Sequence, residues 1–235
     1  GIRIDSLVLE PLASGVAVLT PAEKEHGTLL VDIGGGTTDI VIFKRGQICY
    51  TGVVPIGGFQ FTNDIVLTFN TSYEAAESAK LQHANTNLHT LATSDEEISL
   101  PIKGQDNLLR VPRLDLCQLT RERAQELAQM IKLKLKEANI EQPSDLRLVL
   151  TGGASNLPGL SKLMERTIGI RVRQGIPSLP NTLPEKLRDP AYATSVGILA
   201  WAATEYHRSS KPSINNGHSL TVAPKVFLYR LIKMA

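Results

Sequence analysis

The sequence has few of the features that mark a membrane-spanning, disulfide-bonded or metal-binding protein. No run of residues approaches the roughly 18–20 consecutive apolar positions that a transmembrane helix needs, and the N-terminus lacks the basic and then apolar pattern of a secretion signal. Only two cysteines occur among the 235 residues, and their separation fits no metal-ligand spacing. We therefore interpret Cys49 and Cys117 as reduced thiols of a cytosolic protein.

Acidic residues are absent from the C-terminal segment, which divides the chain into two regions of opposite charge. From Tyr206 onward there are five basic residues and no acidic one, so this segment carries +5; the net charge of the whole chain is +2, which leaves −3 for the remainder. A basic tail on a mildly acidic body argues against nucleic acid as a partner and favours an anionic surface for the tail.

Apolar periodicity and turn residues predict strands and helices in a chain long enough for one large domain or two modest ones. The predicted strands cover residues 28–33, 40–44, 47–55, 98–102 and 147–150 and the neighbourhood of Val172. The predicted helices cover residues 10–20, 63–69, 72–85, 120–138, 157–166 and 193–206, with Ser72 and Thr120 as N-caps. The first three strands follow one another without a helix, which predicts an antiparallel meander. Residues 207–224 have the composition of a linker.

The motif DIGGGTTD at residues 32–39 is the strongest functional signal. Three glycines directly after a buried strand let the backbone approach an anion, and successive N–H groups form a nest of phosphate size. Asp32 would repel a phosphate, so we interpret it as a partner of Mg²⁺ through water, with the metal bridging to the phosphates. The predicted nucleotide-binding residues of this loop are Gly34, Gly35, Gly36, Thr37, Thr38 and Asp39. An ordinary glycine turn is the alternative, although a turn needs fewer glycines.

A second glycine loop lies about a hundred residues further on, in VLTGGASNLPGL at residues 149–160. An apolar strand ends at Gly152 and Gly153 and a helix follows. With Ala154, these glycines would let a purine or ribose lie against bare backbone. Any tight turn from strand to helix could read the same way, so this motif alone leaves both interpretations open.

The C-terminal sequence KVFLYRLIKM at residues 225–234 is amphipathic as a helix. Five apolar side chains fall within an arc of about 160° at 100° per residue, and the basic residues fall opposite. This pattern is typical of a helix lying in the interface of an anionic bilayer. Packing of the helix on its own body is the alternative. The predicted membrane residues are Lys225, Phe227, Leu228, Arg230, Leu231, Ile232 and Lys233.

Both glycine loops resemble those of the actin, Hsp70 and sugar-kinase ATPase superfamily, as its second phosphate loop and its adenosine loop. LEPLASGVAV at residues 9–18 and ATSVGILA at residues 193–200 resemble its two connecting helices. Gly15 and Gly197 would there permit a close helix crossing. The phosphate-1 loop that precedes the first connecting helix in this superfamily has no counterpart in the sequence. We therefore expect the chain to be a fragment that lacks this N-terminal region.

This resemblance implies an α/β fold of actin type, related to ribonuclease H, with a smaller inserted α+β subdomain. Residues 1–27 would hold the connecting helix from the missing N-terminal domain, and residues 193–206 the second connecting helix. The sheet subdomain (2A) would comprise residues 28–69 and 143–192, and the inserted subdomain (2B) residues 70–142. The linker at 207–224 and the membrane-targeting helix at 225–235 would complete the chain.

The resemblance also implies roles for three further residues. Glu10 occupies the position of the acidic residue that orients the attacking water, so Glu10 and Asp32 are the predicted catalytic residues. Its alternative is a carboxylate that favours the positive end of a helix. Glu77 and Lys80, in AAESAKLQ at residues 75–82, match the pair that grips the adenosine, with a solvated helix face as the alternative. Leu81 stands where the Hsp70 branch has arginine, which puts a chaperone-like grip on the purine in doubt.

Within the superfamily, the strings at residues 8–20, 32–43, 53–65 and 192–199 are most similar to the bacterial cell-division branch. This implies a protein that binds ATP with Mg²⁺, hydrolyses it slowly at most, and polymerises on the cytoplasmic face of the cell membrane at the division site. It would tether the ring of the tubulin-like protein FtsZ, whose C-terminal peptide would dock on the inserted subdomain. Its other partners would be further copies of itself, the anionic membrane surface and other division proteins. The alternative is another ATPase of the superfamily, of the pilus-assembly, shape-determining or chaperone-like type.

Overall fold

The computed structural model describes residue 4 and residues 6–90, 95–140, 146–178 and 183–209, with side chains up to residue 204. Residues 1–203 form one compact unit. Of the second unit, residues 204–235, it describes only the end of a helix that stops at Ser209. The predicted membrane residues, from Lys225 to Lys233, lie outside the described part of the chain. Within that part, no helix is both long and apolar enough to cross a bilayer.

The compact unit contains both helices and strands. The helices are α1 (Glu10–Val18), α2 (Pro21–His26), α3 (Gly58–Phe69), α4 (Tyr73–His83), α5 (Arg113–Glu137), α6 (Leu160–Ile168) and α7 (Ala193–Ser209). The strands are β1 (Thr28–Ile33), β2 (Thr38–Lys44), β3 (Gln47–Val54), β4 (Glu97–Pro101), β5 (Leu108–Pro112), β6 (Arg147–Thr151) and β7 (Val172–Gln174). Their order along the chain is α1-α2-β1-β2-β3-α3-α4-β4-β5-α5-β6-α6-β7-α7. Short 3₁₀ turns at Gly153–Asn156 and Pro190–Tyr192 connect several of these elements.

A mixed five-stranded sheet with the order β3-β2-β1-β6-β7 is the centre of the unit. β1, β2 and β3 pair antiparallel, which confirms the predicted meander. β6 pairs with β1 in parallel, in a register that sets Asp32 opposite Thr151, and β7 continues in parallel. The α/β class predicted from the sequence is therefore confirmed.

Helices cover both faces of this sheet. Successive residues of a strand point to opposite faces, so Leu29 and Val31 pack toward α5 and α6 whereas Leu30 packs toward α1 and α7. β1 is buried along its whole length, as expected for a central strand with both faces covered. At roughly 1.5–3 kcal/mol for each large aliphatic side chain removed from water, these two layers supply most of the driving force for folding.

A small second sheet, the antiparallel pair β4 and β5, has its own apolar cluster with α3, α4 and the start of α5. Leu116 and Cys117 of α5 belong to this cluster, but residues from Ala124 onward pack under the main sheet. One continuous helix therefore stabilises both sheets. The proposed division into subdomains 2A and 2B stays a prediction.

α1 and α7 meet in a backbone contact. A Cβ atom built on Gly197 would lie 1.8 Å from the carbonyl oxygen of Ala13, so only glycine fits there. The interpretation of Gly15 needs correction, because a Cβ there would meet Leu30 and Phe43 at 3.3 Å. Gly15 therefore lets α1 approach the sheet, and Gly197 alone permits the helix crossing.

Several helix boundaries differ from those predicted. α5 begins at Arg113, seven residues before the predicted cap Thr120, whose hydroxyl donates instead to the Leu116 carbonyl inside the helix, at 2.7 Å. α6 begins at Leu160 because Gly159 has φ +83°, a left-handed conformation that a continuing helix cannot contain. The helix α2 and the strand β5 were not predicted. Ser72 caps α4 as predicted, since its hydroxyl accepts from the Ala75 amide at 3.2 Å.

We expect Gly197→Ala to destabilise the protein. Glycine to alanine inside a helix normally stabilises by about 0.8–1 kcal/mol, but the overlap with the Ala13 backbone should cost about 3 kcal/mol or more, which exceeds this gain. The sign of the change is therefore diagnostic and can be read from thermal unfolding. Leu199→Ala, on the exposed side of the same helix, is the matched control and should leave the melting temperature within a few degrees. An unchanged or higher melting temperature for Gly197→Ala would contradict the backbone contact.

Candidate functional site

The parallel pairing of β1 with β6 places the two glycine loops side by side at one edge of the main sheet. A cavity of about 1110 Å³ opens there, between these loops, the starts of α1, α3 and α7, and one face of α4. Its lining includes Glu10, Asp32, Gly34, Gly35, Gly36, Gly58, Phe59, Tyr73, Glu77, Lys80, Leu81, Gly152, Gly153, Ala154, Leu157, Pro158 and Thr194. Clefts at the carboxyl ends of strands are the usual ligand sites of such sheets.

The first glycine loop is tied to the start of α3. The amides of Gly58 and Phe59 donate to the carbonyls of Gly34 and Gly35, at 2.9 and 2.7 Å. Gly57 must be glycine because a Cβ atom there would lie 2.7 Å from the Gly35 carbonyl group. Inside the loop, the Gly34 amide donates to the Thr37 carbonyl at 2.9 Å. Backbone amides of the protein therefore satisfy the carbonyls of Gly34, Gly35 and Thr37, and these bonds constrain the loop.

Gly35 and Gly36 have no structural requirement for glycine within the chain. Neither residue has a positive φ, and a Cβ atom on either would meet no atom within 4 Å. Both are exposed at the cavity. A side chain would occupy the space from which a ligand approaches the backbone, so the loop fits a phosphate group that contacts bare amides.

The second loop needs glycine for its own packing. Gly152 has φ +83°, and a Cβ atom there would lie 2.4 Å from Asp32 Oδ1. Its amide donates to the Pro190 carbonyl at 3.1 Å, and its carbonyl accepts from the Ser155 hydroxyl at 2.7 Å. The Gly152 turn therefore packs directly against the Asp32 carboxylate.

Asp32 is a buried carboxylate at the end of β1, with 3% of its surface exposed. The Thr194 hydroxyl donates to its Oδ2 at 3.2 Å. The Ser14 hydroxyl lies between two acceptors, the Glu10 carbonyl at 3.4 Å and the Asp32 carboxylate, whose pKa it lowers. Hydroxyl groups from α1 and α7 thus face one carboxylate on β1.

Burial and negative charge disfavour the ionised form of Asp32. Burial is the main cause that raises its pKa to about 6, and the nearby carboxylates of Glu10 and Asp39 add to the rise. Burial and Glu10 also raise the pKa of Asp39. A cation in the cavity would reverse this repulsion. No group of three or more metal-ligating side chains occurs in the described part of the chain.

Glu77 and Lys80 lie one turn apart on the cavity face of α4 and form an ion pair of 2.8 Å. The Lys80 ammonium also donates to the Gly58 carbonyl at 3.1 Å and to the Thr62 hydroxyl at 2.8 Å, and the Thr62 hydroxyl donates to Glu77. These three protein acceptors use all three ammonium donors of Lys80. Glu77 is therefore the member of the pair with capacity left for a ligand.

The structure adds cavity residues that sequence reasoning missed. The rings of Phe59 and Tyr73 stack at 5.7 Å between centroids, and 49% and 41% of these residues stay exposed. Thr194 was also missed, although it lies in the ATSVGILA motif. A hydroxyl next to small helix residues was the available signal for Thr194, whereas no sequence signal pairs Phe59 with Tyr73.

Of the thirteen predicted catalytic and nucleotide-binding residues, ten line this cavity and three do not. Thr38 is fully buried, and its hydroxyl donates to the Ile56 carbonyl at 2.6 Å. The Thr37 hydroxyl donates to the Asp39 carboxylate at 3.4 Å. Neither threonine nor Asp39 is among the lining residues. The roles assigned to individual site residues stay predictions.

Sequence comparison matches residues 29–197 to the family described as cell division protein FtsA. The protein of that description from Pseudomonas aeruginosa is 36% identical over 233 residues, which is 99% of this chain and 56% of the relative. The protein from Escherichia coli K12 is 32% identical over 206 residues, which is 85% of this chain and 49% of the relative. The chain thus spans about half the length of the curated relatives that it matches.

Solved structures of low sequence identity share the fold. MreB5 of Spiroplasma citri bound to ADP superposes with a TM-score of 0.70 at 15% identity, over 86% of this chain and 61% of that one. A chain of the PilM-PilN type IV pilus biogenesis complex gives 0.62 at 21% identity, over 88% of this chain and 54% of that one. These neighbours confirm the predicted actin-like fold.

We expect Asp32→Asn to change how stability depends on pH. Because the folded state raises the pKa of Asp32 from 3.8 to about 6, the folded state binds the proton more tightly. Stability from this group is therefore present at pH 4 and is lost as the pH rises through 6. The shift of about 2 units corresponds to about 3 kcal/mol. The neutral amide should remove this loss, so the variant gains stability over the parent at pH 7 and not at pH 4, as measured by urea unfolding with a chelator present.

Asp106→Asn, at an exposed turn, is the control for the change of side chain. An equal difference between Asp32→Asn and the parent at both pH values would contradict the assignment of Asp32 as the titrating group.

Proposed function

Because the chain belongs to the FtsA family of cell-division proteins, we propose that it forms most of the nucleotide site of an actin-like protein that binds ATP with Mg²⁺. The protein polymerises on the cytoplasmic face of the inner membrane and tethers the FtsZ ring to it. The family and the actin-like fold are established by the comparisons above. The nucleotide, the metal, the membrane and the partners belong to the proposal.

The observation that carries the nucleotide proposal is the glycine loop beside a buried carboxylate. Gly35 and Gly36 leave open space where a Cβ atom would project, and Asp32 lies beside them in the same cavity. The loop amides would donate hydrogen bonds to a phosphate group, and the negative charge of Asp32 would attract a hydrated cation. The neighbour MreB5, which shares the fold, is described as bound to ADP and, in a second structure, to AMPPNP.

The other cavity residues have distinct roles in this proposal. Gly152, Gly153 and Ala154 support the adenosine with bare backbone, and Glu77 accepts hydrogen bonds from its sugar. Lys80 acts through the protein, because its donors hold Glu77 and the Gly58 carbonyl in place. When bound, Mg²⁺ neutralises phosphate charge and orders water in the site.

We propose that Glu10 orients the water that attacks the phosphate. Glu10 lies in the first turn of α1 at the cavity wall and is exposed to solvent. An exposed carboxylate at the cavity wall can accept a hydrogen bond from a water molecule, whereas its negative charge disfavours direct contact with phosphate. We therefore propose that ATP is hydrolysed slowly at most. In this proposal Glu10 orients the attacking water, and Asp32 would contact the hydrated cation through water.

Attachment to the membrane is proposed from the sequence of the tail. Three basic residues near an anionic surface contribute about 1 kcal/mol each, and partial burial of the apolar face adds several more. One short helix therefore binds reversibly, and a filament would multiply its affinity. The alignment with the Pseudomonas aeruginosa relative covers 99% of the chain and so extends into this segment.

Membership of the cell-division family supports the choice of proposed partners. We propose that the FtsZ C-terminal peptide docks on residues 70–142 and that copies of the protein associate into a filament. Other division proteins complete the assembly. Pilus-assembly, shape-determining and chaperone-like functions are not preferred, since the PilM-PilN and MreB5 similarities are below 25% identity and concern the fold alone.

We expect Gly35→Val to abolish tight ATP binding by the full-length protein. A branched side chain would occupy the phosphate position and remove at least two charge-assisted backbone hydrogen bonds. At about 1.5 kcal/mol or more each, their loss weakens ATP binding roughly 100-fold. Calorimetric titration measures this loss. The melting temperature without nucleotide should stay within a few degrees, because the side chain projects into open space. Unchanged ATP affinity would refute the phosphate-loop assignment.

We expect Leu231→Glu to reduce binding to anionic vesicles to background. The carboxylate would lie in the middle of the apolar arc, where its desolvation exceeds the few kcal/mol that the helix gains. Co-sedimentation of the full-length protein with vesicles measures this loss. Nucleotide affinity should not change.

Tyr229→Glu is the matched control, since it adds the same charge on the polar side of the helix. It should weaken vesicle binding only by about 1 kcal/mol, or roughly fivefold. If Leu231→Glu still binds vesicles but unfolds at lower temperature, the segment packs against the protein and the membrane role is wrong.

A further inference from the structure

Thr194 links the start of α7 to the carboxylate at the end of β1. It lies in the first turn of α7, half-buried at the cavity wall. Its hydroxyl donates to Asp32 Oδ2 at 3.2 Å. The other carboxylate oxygen, Oδ1, lies against the Gly152 turn. The side chain of Asp32 is thus held between a donor on one side and bare backbone on the other.

The negative charges around Asp32 disfavour its ionised form, so a hydrogen-bond donor is important for stabilising that form. Glu10 on α1 and Asp39 on β2 are both acidic and repel its charge. Two hydroxyls, those of Ser14 and Thr194, are the side-chain donors that stabilise it in the described part of the chain. The Ser14 hydroxyl also contacts the Glu10 carbonyl, whereas the Thr194 hydroxyl donates directly to Asp32 Oδ2.

Both donors come from the point where the two helices cross. Ser14 follows Ala13, whose carbonyl contacts Gly197, and Gly197 lies about one turn after Thr194. The backbone contact at Gly197 fixes the distance between α1 and α7. The orientation of the Asp32 carboxylate is therefore set by the same contact that sets the helix crossing.

We propose that Thr194 is a positioning residue that orients the Asp32 carboxylate toward the hydrated cation of the bound nucleotide. This inference rests on the proposed ATP and Mg²⁺ site and assigns to α7 a share in cation recognition. The terminal torsion of an aspartate is broad, so a carboxylate without a fixed donor samples several planes. A contact through a metal-bound water would need the carboxylate to keep one plane, because its oxygen must point at that water to accept the hydrogen bond.

The test compares ATP affinity with and without the cation in the full-length protein. We expect Thr194→Val, which keeps the shape and removes the hydroxyl, to lose most of the Mg²⁺-dependent tightening. Partners that orient a metal-binding group typically contribute 10–100-fold in affinity, so the ratio of dissociation constants in chelator and in Mg²⁺ should fall by about tenfold or more. The affinity in chelator should change little, because no cation is then present for Asp32 to contact. Calorimetric titration gives both values.

Thr194→Ser restores the hydroxyl and should recover the parent's ratio, whereas Thr194→Ala should reproduce the effect of valine. A structural role of Thr194 would instead weaken ATP binding equally in chelator and in Mg²⁺, and this result would overturn the inference. An unchanged ratio in Thr194→Val and Thr194→Ala would overturn it as well. If the parent itself shows no ATP binding, or no tightening by Mg²⁺, the proposed nucleotide and metal site fails and not only the role of Thr194.

Discussion

The parallel pairing of β1 with β6 is the constraint on which the candidate site depends. These strands are separated by more than a hundred residues, yet their register sets Asp32 opposite Thr151. Both strands end at the same edge of the sheet, so the glycine loop that follows each strand lies there. The pairing is stable because helices cover both faces of β1 and remove it wholly from water. Nothing local to either loop would bring them together.

Local sequence signals predicted the central elements well. β1 was predicted with the bounds found in the structure, because a continuous apolar run between two glycine segments has few other readings. Ser72 was predicted as an N-cap for an equally local reason, a hydroxyl directly before a helix-forming run. The same applies to most residues of the cavity, since glycine-rich turns and the carboxylate between them are visible in the sequence. Which helix side chains reach that carboxylate is a matter of packing.

The failures arise where tertiary contacts decide. Thr120 has the chemistry of a cap, but the residues before it pack Leu116 and Cys117 into the core of the small sheet, which extends α5 toward its N-terminus. Gly15 was assigned to a helix crossing that Gly197 alone makes, because spacing does not show which neighbour a glycine faces. Thr194 was missed for the same reason, since only the fold brings it to Asp32 across 162 positions of the chain.

The hydrogen bonds between the first glycine loop and α3 allow the opening of this loop to be measured without a ligand. The amides of Gly58 and Phe59 are bonded to the carbonyls of Gly34 and Gly35, so their hydrogens can exchange with deuterium only when the loop separates from the helix. α3 is in turn fixed to α5 by the paired contacts of Asp64 with Arg123. Isotope exchange at two backbone positions therefore reports how often the loop opens, on a timescale that no static structure records.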